Sequence, residues 1–553
     1  MKTYIKIIAA FALVLFISNA CTDDFKELNT PTDLITEDLI NVNLLLTRVQ
    51  QQAVVVNSPY GRDTFGNYCG MSVSDANRPF QDGAATDVWN DNYSIYTNNL
   101  SSIIRLTQDD PALVNKKAIA RIMKVWAFAK ATDTYGDIPY FESNLSQDEA
   151  IFTPTYDTQE SIYRDFFKEL KEAAAELDPS QESYGSADLI YGGDPVKWRK
   201  LANSLRLRLA LRIRYADEQL ARENISDLQE SDLILSREDD AYIYTNTDIA
   251  DNQSARYNAL VNSGSSFTKD YIGKTLLDIL NDNNDPRTKI YADTAKAEFP
   301  KDMPDVDYFG YRGHALLGLV PVEEKYPYQF ESVSRLSDFW YVPVIERPLM
   351  RSSEVYFALA EAALFDLRSG DANAYFQQGI EAGLAWAQEF YDRGKGQLPD
   401  VIKILYPDWS AEDVNNLLAH KEITQDEIDA FMASPAVVLS GSTEEQLEQI
   451  INQKMVTLYP MEYQGWAEWR RTGYPKVLVG HDQDDLQGVS PRKMRWPDSE
   501  MSINSESYNE ALSRIGGEDG LLIRVWWDAN PNVPYKYPGE VERMDAPWIS
   551  TGG

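Results

Sequence analysis

A cysteine near the amino terminus carries the clearest chemistry in the sequence. Lys2 and Lys6 form a short basic segment, Ile7–Ile17 is apolar throughout, and Ala20 lies directly before Cys21. The apolar run is shorter than the roughly 20 residues that a membrane-spanning helix needs, and the pattern is typical of a secretory signal peptide. Small residues followed by cysteine predict cleavage before Cys21 and lipid attachment to its thiol. The alternative is an ordinary signal peptide followed by an unrelated cysteine.

Two acidic residues, Asp23 and Asp24, follow this cysteine. An acidic pair in this position resembles the surface-export signal of lipoproteins in the Bacteroidetes. The resemblance implies a protein of the outer membrane that faces the medium. Because two or more acyl chains give stable anchoring, Cys21 would be the membrane attachment of the chain.

Aromatic side chains in polar, glycine-rich segments offer a second kind of chemistry. Sugar rings present C–H faces that stack on aromatic rings, while their hydroxyl groups pair with Asn, Asp or Arg nearby. Two clusters of such residues stand out: Tyr60, Phe65, Tyr68, Asn77, Arg78, Phe80, Trp89 and Asn92 in the first, and Tyr308, Phe309, Tyr311, Arg312, Tyr326, Tyr328 and Trp340 in the second. These segments are the candidate ligand-binding loops.

The first cluster has a competing structural interpretation. Trp89, Tyr93 and Tyr96 are spaced at i, i+4 and i+7, which places them on one face of a helix. A face of three aromatic residues is typical of a helix packed against a core. The sequence leaves both interpretations open.

Catalytic and metal-binding patterns are weak by comparison. The sequence has no nucleophile elbow, P-loop, zincin motif or dinucleotide fingerprint. Its 86 acidic residues make closely spaced carboxylates so common that their spacing does not indicate a glycosidase. His314, His420 and His481 are far apart and lack neighbouring ligands. We therefore expect no catalytic residue, no metal site and no cofactor. A calcium ion at Asp482, Asp484 and Asp485 is the alternative that the sequence leaves open, although this segment lacks the terminal glutamate of an EF-hand loop.

The charge of the chain restricts its partners. A formal net charge of −34 repels phosphate backbones and polyanionic glycans, which argues against nucleic acid as a partner and favours neutral ligands. After modification of Cys21 only Cys69 remains, so an intramolecular disulfide is excluded. No later segment is apolar enough over 18 residues to suggest a membrane helix.

Amphipathic helices would position the candidate loops. Capping residues mark three helix starts: Asp157 with Glu160, Asp194 before Pro195, and Ser442 with Glu445. Residues 351–387 predict two antiparallel helices of a tetratricopeptide-like unit, joined by a very short turn at Gly370 and Asp371. Long loop-rich stretches separate the helices, roughly at 58–88, 236–265, 293–347 and 475–545. The sequence therefore predicts a mainly α-helical scaffold with long irregular loops.

A family resemblance extends over nearly all of the chain after the signal peptide. The segments that carry it, in order, are CTDDFKELNTPTDL at 21–34, ATDTYGDIPY at 131–140, IYGGDPVKWRKLANSLRLRLALRI at 190–213, SEVYFALAEAAL at 353–364, EWRRTGYP at 468–475 and PRKMRWPDSEMSINSESYNEAL at 491–512. Together they resemble the SusD/RagB family of nutrient-binding outer-membrane lipoproteins. The resemblance implies an all-α fold of tetratricopeptide-like helix pairs with a few short strands.

The same resemblance implies a function. Members are non-catalytic, bind oligosaccharides or in some cases peptides, and cover a SusC-like TonB-dependent transporter. Starch binding in the family uses a tryptophan with nearby Asn and Arg in the comparable region, which here indicates Trp89, Asn92 and Arg78. From the second cluster we add Tyr308, Tyr311 and Trp340 as ligand-binding candidates. A surface glycan-degrading enzyme and a purely structural surface lipoprotein are the alternative functions.

These expectations divide the chain into three parts. Residues 1–20 are the signal peptide, residues 21–38 are the lipid anchor and tether, and residues 39–553 form a single SusD-like nutrient-binding domain. The predicted location is the cell-surface side of the outer membrane.

Overall fold

Helices make up most of the described chain, which confirms the predicted mainly α-helical class. The structure is a computed structural model, and it describes residues 39–52, 65–73, 82–145, 151–248, 252–263, 269–295, 310–311, 313, 333–476 and 490–533. Of the residues singled out for lipid attachment, export or ligand binding, five lie outside these ranges: Cys21, Asp23, Asp24, Arg78 and Tyr308. Seven other members of the two aromatic clusters also lie outside them: Tyr60, Asn77, Phe80, Phe309, Arg312, Tyr326 and Tyr328.

The helices follow one another with short connections through most of the described chain. In the first half they are α1 (Val42–Gln50), α2 (Asp82–Asn90), α3 (Thr97–Thr107), α4 (Val114–Tyr135), α5 (Gln159–Glu176), α6 (Pro195–Arg212), α7 (Glu218–Ile225), α8 (Ala255–Ser263), α9 (Lys274–Asp282) and α10 (Thr288–Tyr291). In the second half they are α11 (Ser352–Leu364), α12 (Ala372–Gly394), α13 (Leu398–Leu405), α14 (Ala411–Lys421), α15 (Gln425–Met432), α16 (Thr443–Leu458), α17 (Glu462–Thr472), α18 (Asp498–Ile503) and α19 (Ser505–Arg514).

Local capping determines where several of these helices begin. Asp194 accepts hydrogen bonds from the backbone N–H groups of the first turn of α6, and Ser442 forms a reciprocal capping box with Glu445 at α16, both as predicted. At α5 the prediction is wrong by one residue, because Thr158 is the N-cap. Asp157 instead pairs its backbone with Ile138 in an antiparallel bridge.

Consecutive helices pack side by side into layers. α3, α4, α5 and α6 each contact the next, and α11 contacts α6, α12 and α16. The predicted pair α11 and α12 is present, but its connection is longer than expected, because α11 ends at Leu364 and Asp371 caps α12. The two helices approach closely at Gly379, where a Cβ atom would lie 2.8 Å from the ring of Phe357.

Among the described residues, two small antiparallel sheets join segments that are far apart in the sequence. Strand β1 (Ser72–Val73) pairs with β3 (Tyr271–Ile272), and β2 (Ala241–Tyr244) pairs with β4 (Glu346–Met350). The pairing of β2 with β4 places residues about one hundred positions apart in direct contact, with Tyr244 opposite Glu346.

Charged side chains of the family-like motifs lie inside the helical layers. Arg471 of α17 binds Glu361 through two nitrogens, at 2.5 and 2.7 Å, and Glu468 at 2.6 Å. Burial raises the pKa of Glu468, but Arg471 and its other cationic neighbours outweigh burial and bring that pKa well below its usual range. The pair of Arg471 with the fully buried Glu361 carboxylate links α17 to α11.

The Asp133 carboxylate forms a second polar link through the core. It accepts hydrogen bonds from Arg212 and from Trp527 Nε1, the latter at 2.7 Å. An arginine of α6 is paired in this way with a buried carboxylate of α4. Helix α4 is thereby tied to α6 and to the segment after α19.

A free thiol lies in the same interior. Cys69 has no exposed surface, and its Sγ donates to the carbonyl of Phe65 at 3.2 Å. Burial, followed by the nearby Glu462 carboxylate, raises the pKa of this thiol well above its usual value. In the part of the chain that the structure describes, none of the helices has the length and apolarity needed to cross a bilayer.

Candidate ligand-binding surface

Trp89 lies at the end of α2, where the helix widens into a π-helical turn over Asp91–Tyr96. Its ring packs on Tyr93, with centroids 4.8 Å apart, and against Tyr135 at 5.2 Å with the rings nearly perpendicular. Only 7% of Trp89 is exposed. The buried aromatic face that the helical spacing allowed is therefore the arrangement observed for Trp89.

Asn92 lies in the π-helical turn with 2% of its surface exposed. Neither its amide nitrogen Nδ2 nor its oxygen Oδ1 has a hydrogen-bond partner in the protein. A buried polar group without a partner costs about 1–3 kcal/mol, and π-helical turns are frequent at functional sites. The whole side-chain amide of Asn92 therefore lacks a protein partner, and a buried water molecule would satisfy it.

Tyr311 lies against the end of α14. Its hydroxyl forms a hydrogen bond with Nε2 of His420 at 2.9 Å, and its carbonyl accepts one from Asn281 at 3.2 Å. The Tyr311 side chain is 6% exposed, whereas His420 is exposed at the end of α14. Burial, followed by the cations Lys421 and Lys289, lowers the pKa of His420, so its imidazole is neutral at pH 7.

Trp340 is a core residue, and its assignment to a ligand face is corrected. No part of its surface is exposed, and its Nε1 donates to the carbonyl of Ile290 at 3.1 Å. Its ring lies 4.6 Å from that of Phe390 and 4.7 Å from that of Tyr459. A sugar ring has no access to Trp340 while these contacts persist. The residue lies in a short 3-10 helix, Asp338–Tyr341, whose four residues are all buried.

A buried ionic cluster lies at the same end of α14, because it includes Lys421, the residue after His420. Lys269 binds Asp338 at 2.6 Å and also contacts Asp293, which Lys421 reaches at 2.6 Å. Burial raises the pKa of Asp293, but the two lysines outweigh burial and lower it to about 2. The cluster therefore keeps opposite charges paired in the interior and fixes the end of α14 against the loop after α10.

One aromatic pair near this cluster, the half-buried Tyr406 and the exposed Trp409, was absent from the sequence-based candidates. Tyr406 and Trp409 stack with ring centroids 4.5 Å apart and planes inclined by 17°. They lie in the turn between α13 and α14, within the sequence Tyr-Pro-Asp-Trp. The sequence signal for this pair is two aromatic residues in a turn between amphipathic helices, outside the long loop-rich stretches.

The structure divides the described candidates between separate regions. Trp89 makes its ring contacts with Tyr93, Tyr135 and Tyr156, whereas Trp340 makes its own with Tyr291, Trp386, Phe390 and Tyr459. Tyr311 and Tyr406 share a neighbour, because Asp293 contributes to raising the pKa of both phenols after burial. Within the described ranges, no group of three or more His, Cys, Asp and Glu side chains is arranged to hold a metal ion.

Comparisons with known proteins give a consistent result. A family model named SusD-like, described as starch-binding and associating with the outer membrane, matches residues 39–497. Comparison with curated proteins gives no match.

Solved structures give further matches. A chitin-binding protein is 27% identical with a TM-score of 0.71, and the alignment covers 89% of this chain and 100% of that one. A SusD homolog from Bacteroides uniformis is 26% identical with a TM-score of 0.66, covering 88% and 99%. A chitin-binding SusD homolog from Flavobacterium johnsoniae is 22% identical with a TM-score of 0.65, again covering 88% and 99%.

Proposed function

Because the chain belongs to the SusD-like family, we propose that it is a non-catalytic surface lipoprotein that captures an oligosaccharide and delivers it to a SusC-like TonB-dependent transporter. The observation that carries this proposal is the family match over residues 39–497. Carbohydrate binding in nutrient uptake and association with the outer membrane are the general properties that this match supports.

The ligand that we propose is a neutral oligosaccharide. A chain with a net charge of −34 disfavours polyanionic glycans, and stacking on aromatic rings needs no charge on the sugar. The 27%-identical relative is a chitin-binding protein, which makes oligomers of N-acetylglucosamine the first ligands to test.

Ligand contacts are proposed for five of the candidate residues. Arg78 and Tyr308 remain proposals that rest on the resemblance, together with Trp89. Asn92 has the added support of a side-chain amide without a protein partner. Tyr311 has the support of lying beside the neutral, exposed His420.

Anchoring and export are proposed for the amino-terminal residues. Cys21 would carry the lipid, and Asp23 and Asp24 would direct the protein to the cell surface. An oligosaccharide bound there would need a transporter to enter the cell, which is the role proposed for the SusC-like partner.

The experiment is a binding and cleavage assay with a panel of glycans. The purified protein is titrated with chitohexaose, maltohexaose, cellohexaose and a mixture of short peptides, and each glycan is then examined for shorter products. Binding of a glycan without cleavage supports the proposal. Cleavage of a glycan supports the enzyme. Binding of peptides alone supports a peptide-binding member of the family. The absence of any binding and of any cleavage supports a structural lipoprotein.

The partnership has a separate test. Outer membranes are solubilised from cells that make the lipoprotein with or without an affinity tag, and the proteins retained through the tag are identified. Recovery of the transporter with the tagged protein supports delivery to a SusC-like partner, whereas its absence contradicts that part of the proposal.

A further inference from the structure

Trp409, which stacks on the half-buried Tyr406, presents an aromatic surface to solvent. Trp409 is 42% exposed, and within the described ranges it is the most exposed tryptophan. Because Tyr406 covers one face of the indole at a centroid distance of 4.5 Å, the exposed area belongs to the edge and to the opposite face. An indole face open to solvent is large enough to accept one sugar ring.

The pair is held in a fixed position by the elements on either side. The backbone N–H of Trp409 donates to the carbonyl of Tyr406 at 3.0 Å, which closes the turn. Ser410 then starts α14 with a capping box to Asp413. Burial raises the pKa of Tyr406 to about 12, and Lys269 of the buried ionic cluster lies beside its phenol. A platform that is ordered before binding loses little entropy when a ligand arrives.

A structural role alone accounts for only part of this arrangement. Trp409 occupies the position before the N-cap Ser410, and Val414 occupies the fourth helical position, which are the two sites of a hydrophobic staple. A staple needs an apolar side chain at position 409. It does not need an indole stacked on a tyrosine with 42% of its surface in water.

The surroundings favour a neutral sugar as the occupant. Asp408 is exposed beside the indole in the sequence and can accept a hydrogen bond from a hydroxyl group. The strong negative charge of the whole chain disfavours an anionic ligand at an exposed site. Asp408 is therefore suited to bind the hydroxyl groups of a sugar, and the indole of Trp409 is suited to contact the C–H face of its ring.

We infer that Tyr406 and Trp409 form a stacking subsite for one ring of a neutral oligosaccharide. This inference rests on the proposed function and adds to it a binding residue outside the loops that the sequence indicated. The indole of Trp409 contacts the sugar, and Tyr406 supports the indole from behind.

The test compares three substitutions of Trp409 by calorimetric titration with chitohexaose, maltohexaose and cellohexaose. Trp409→Ala and Trp409→Leu should each weaken binding of the preferred glycan at least about fivefold. Trp409→Phe keeps an aromatic face and should retain most of the affinity. The leucine variant keeps an apolar residue for the staple, so it separates loss of stacking from loss of helix capping.

The matched control is Phe152→Ala, which removes an aromatic side chain that is 86% exposed elsewhere on the surface. Affinity should be unchanged in this variant, and the thermal midpoint should change little in all four, since exposed substitutions have small effects on stability.

Each outcome has a defined meaning. Unchanged affinity in the alanine and leucine variants of Trp409, with binding intact in the unaltered protein, overturns the inference and leaves the proposed function standing. Equal losses in these variants and in Phe152→Ala also overturn it. If the unaltered protein binds none of the glycans, the proposed function and the inference fail together.

Discussion

The exposed area of a tryptophan limits how much of its ring a ligand can contact, both for the predicted Trp340 and Trp89 and for Trp409, which the sequence did not indicate. Trp340 has no exposed surface, Trp89 has 7% and Trp409 has 42%. The indole is the same in each case, so the difference lies in the neighbours that cover it. A buried tryptophan contributes to stability through packing, whereas an exposed one can exchange water for a sugar ring.

Replacement of Trp340 by alanine should therefore affect folding and leave binding unchanged. Removing a fully buried indole leaves a cavity and costs about 3–5 kcal/mol in the free energy of unfolding. Denaturant unfolding measures this loss, and a glycan titration of the same variant measures affinity per folded molecule. A variant of normal stability with weakened affinity would contradict the core assignment.

At the scale of the elements, helix starts could be predicted because their causes are local. The capping box of Ser442 and Glu445 spans three residues, and the structure has it as expected. Exposure could not be predicted in the same way. Trp89 is covered partly by Tyr156, 67 positions later in the sequence, and Tyr406 lies beside Lys269, more than one hundred positions earlier. Contacts at such separations leave no periodic signal.

The close approach of α11 and α12 gives a prediction for Gly379→Ala. Alanine favours the helix by about 0.5–1 kcal/mol, but its Cβ would lie 2.8 Å from the buried ring of Phe357. Overpacking of this kind costs about 1–3 kcal/mol. The expected result is a net loss of about 1–2 kcal/mol in the free energy of unfolding.

The control for this substitution is Gly396→Ala, just after α12. No atom lies within 4 Å of the Cβ position there, so stability should change by less than about 0.5 kcal/mol. If the two variants are equally stable, α11 can move away from α12 without cost and the close contact does not constrain the pair.

At the scale of the whole molecule, the buried carboxylates fall into two groups whose contributions to folding stability change in opposite directions with pH. Burial raises the pKa of Asp240 to about 6, despite hydrogen bonding from the Ser352 backbone and the charge of Arg237. The folded protein therefore binds more protons than the unfolded chain between about pH 4 and 6. Stability from this group is lost as pH rises through that window.

The carboxylates with lowered pKa values behave in the opposite sense. Glu468 and Glu361 remain charged in the folded protein because their arginine partners outweigh burial. Their contribution is present above about pH 4, the usual value for an unfolded carboxyl, and is lost as pH falls toward their folded pKa values. The excess of negative charge adds repulsion at neutral pH.

These effects predict a maximum of stability on the acidic side of neutrality. The thermal midpoint should rise as pH falls from about 7.5 to 5 and should drop steeply below about pH 4. Asp240→Asn keeps an acceptor for the Ser352 N–H but removes the titration, so the slope between pH 6 and 4 should flatten. A midpoint that falls steadily from pH 7 downward would contradict this account.

The proposed membrane attachment also concerns the whole chain. If Cys21 carries the lipid, as proposed, Cys21→Ala should remove the protein from the membrane fraction and abolish incorporation of labelled palmitate. Replacing Asp23 and Asp24 with alanine should retain the lipid but protect the protein from protease added to intact cells. Persistent palmitate labelling of the Cys21 variant would contradict the lipid assignment.

The buried thiol of Cys69 has a practical consequence. Since it has no exposed surface and a raised pKa, a thiol reagent reaches it only when the surrounding interior opens. In a form of the protein with Cys21 replaced, the rate at which the reagent labels Cys69 would measure how often the interior opens under native conditions, without denaturant. A cysteine introduced on the surface would meanwhile react at once, which allows a fluorophore to be attached at one chosen position.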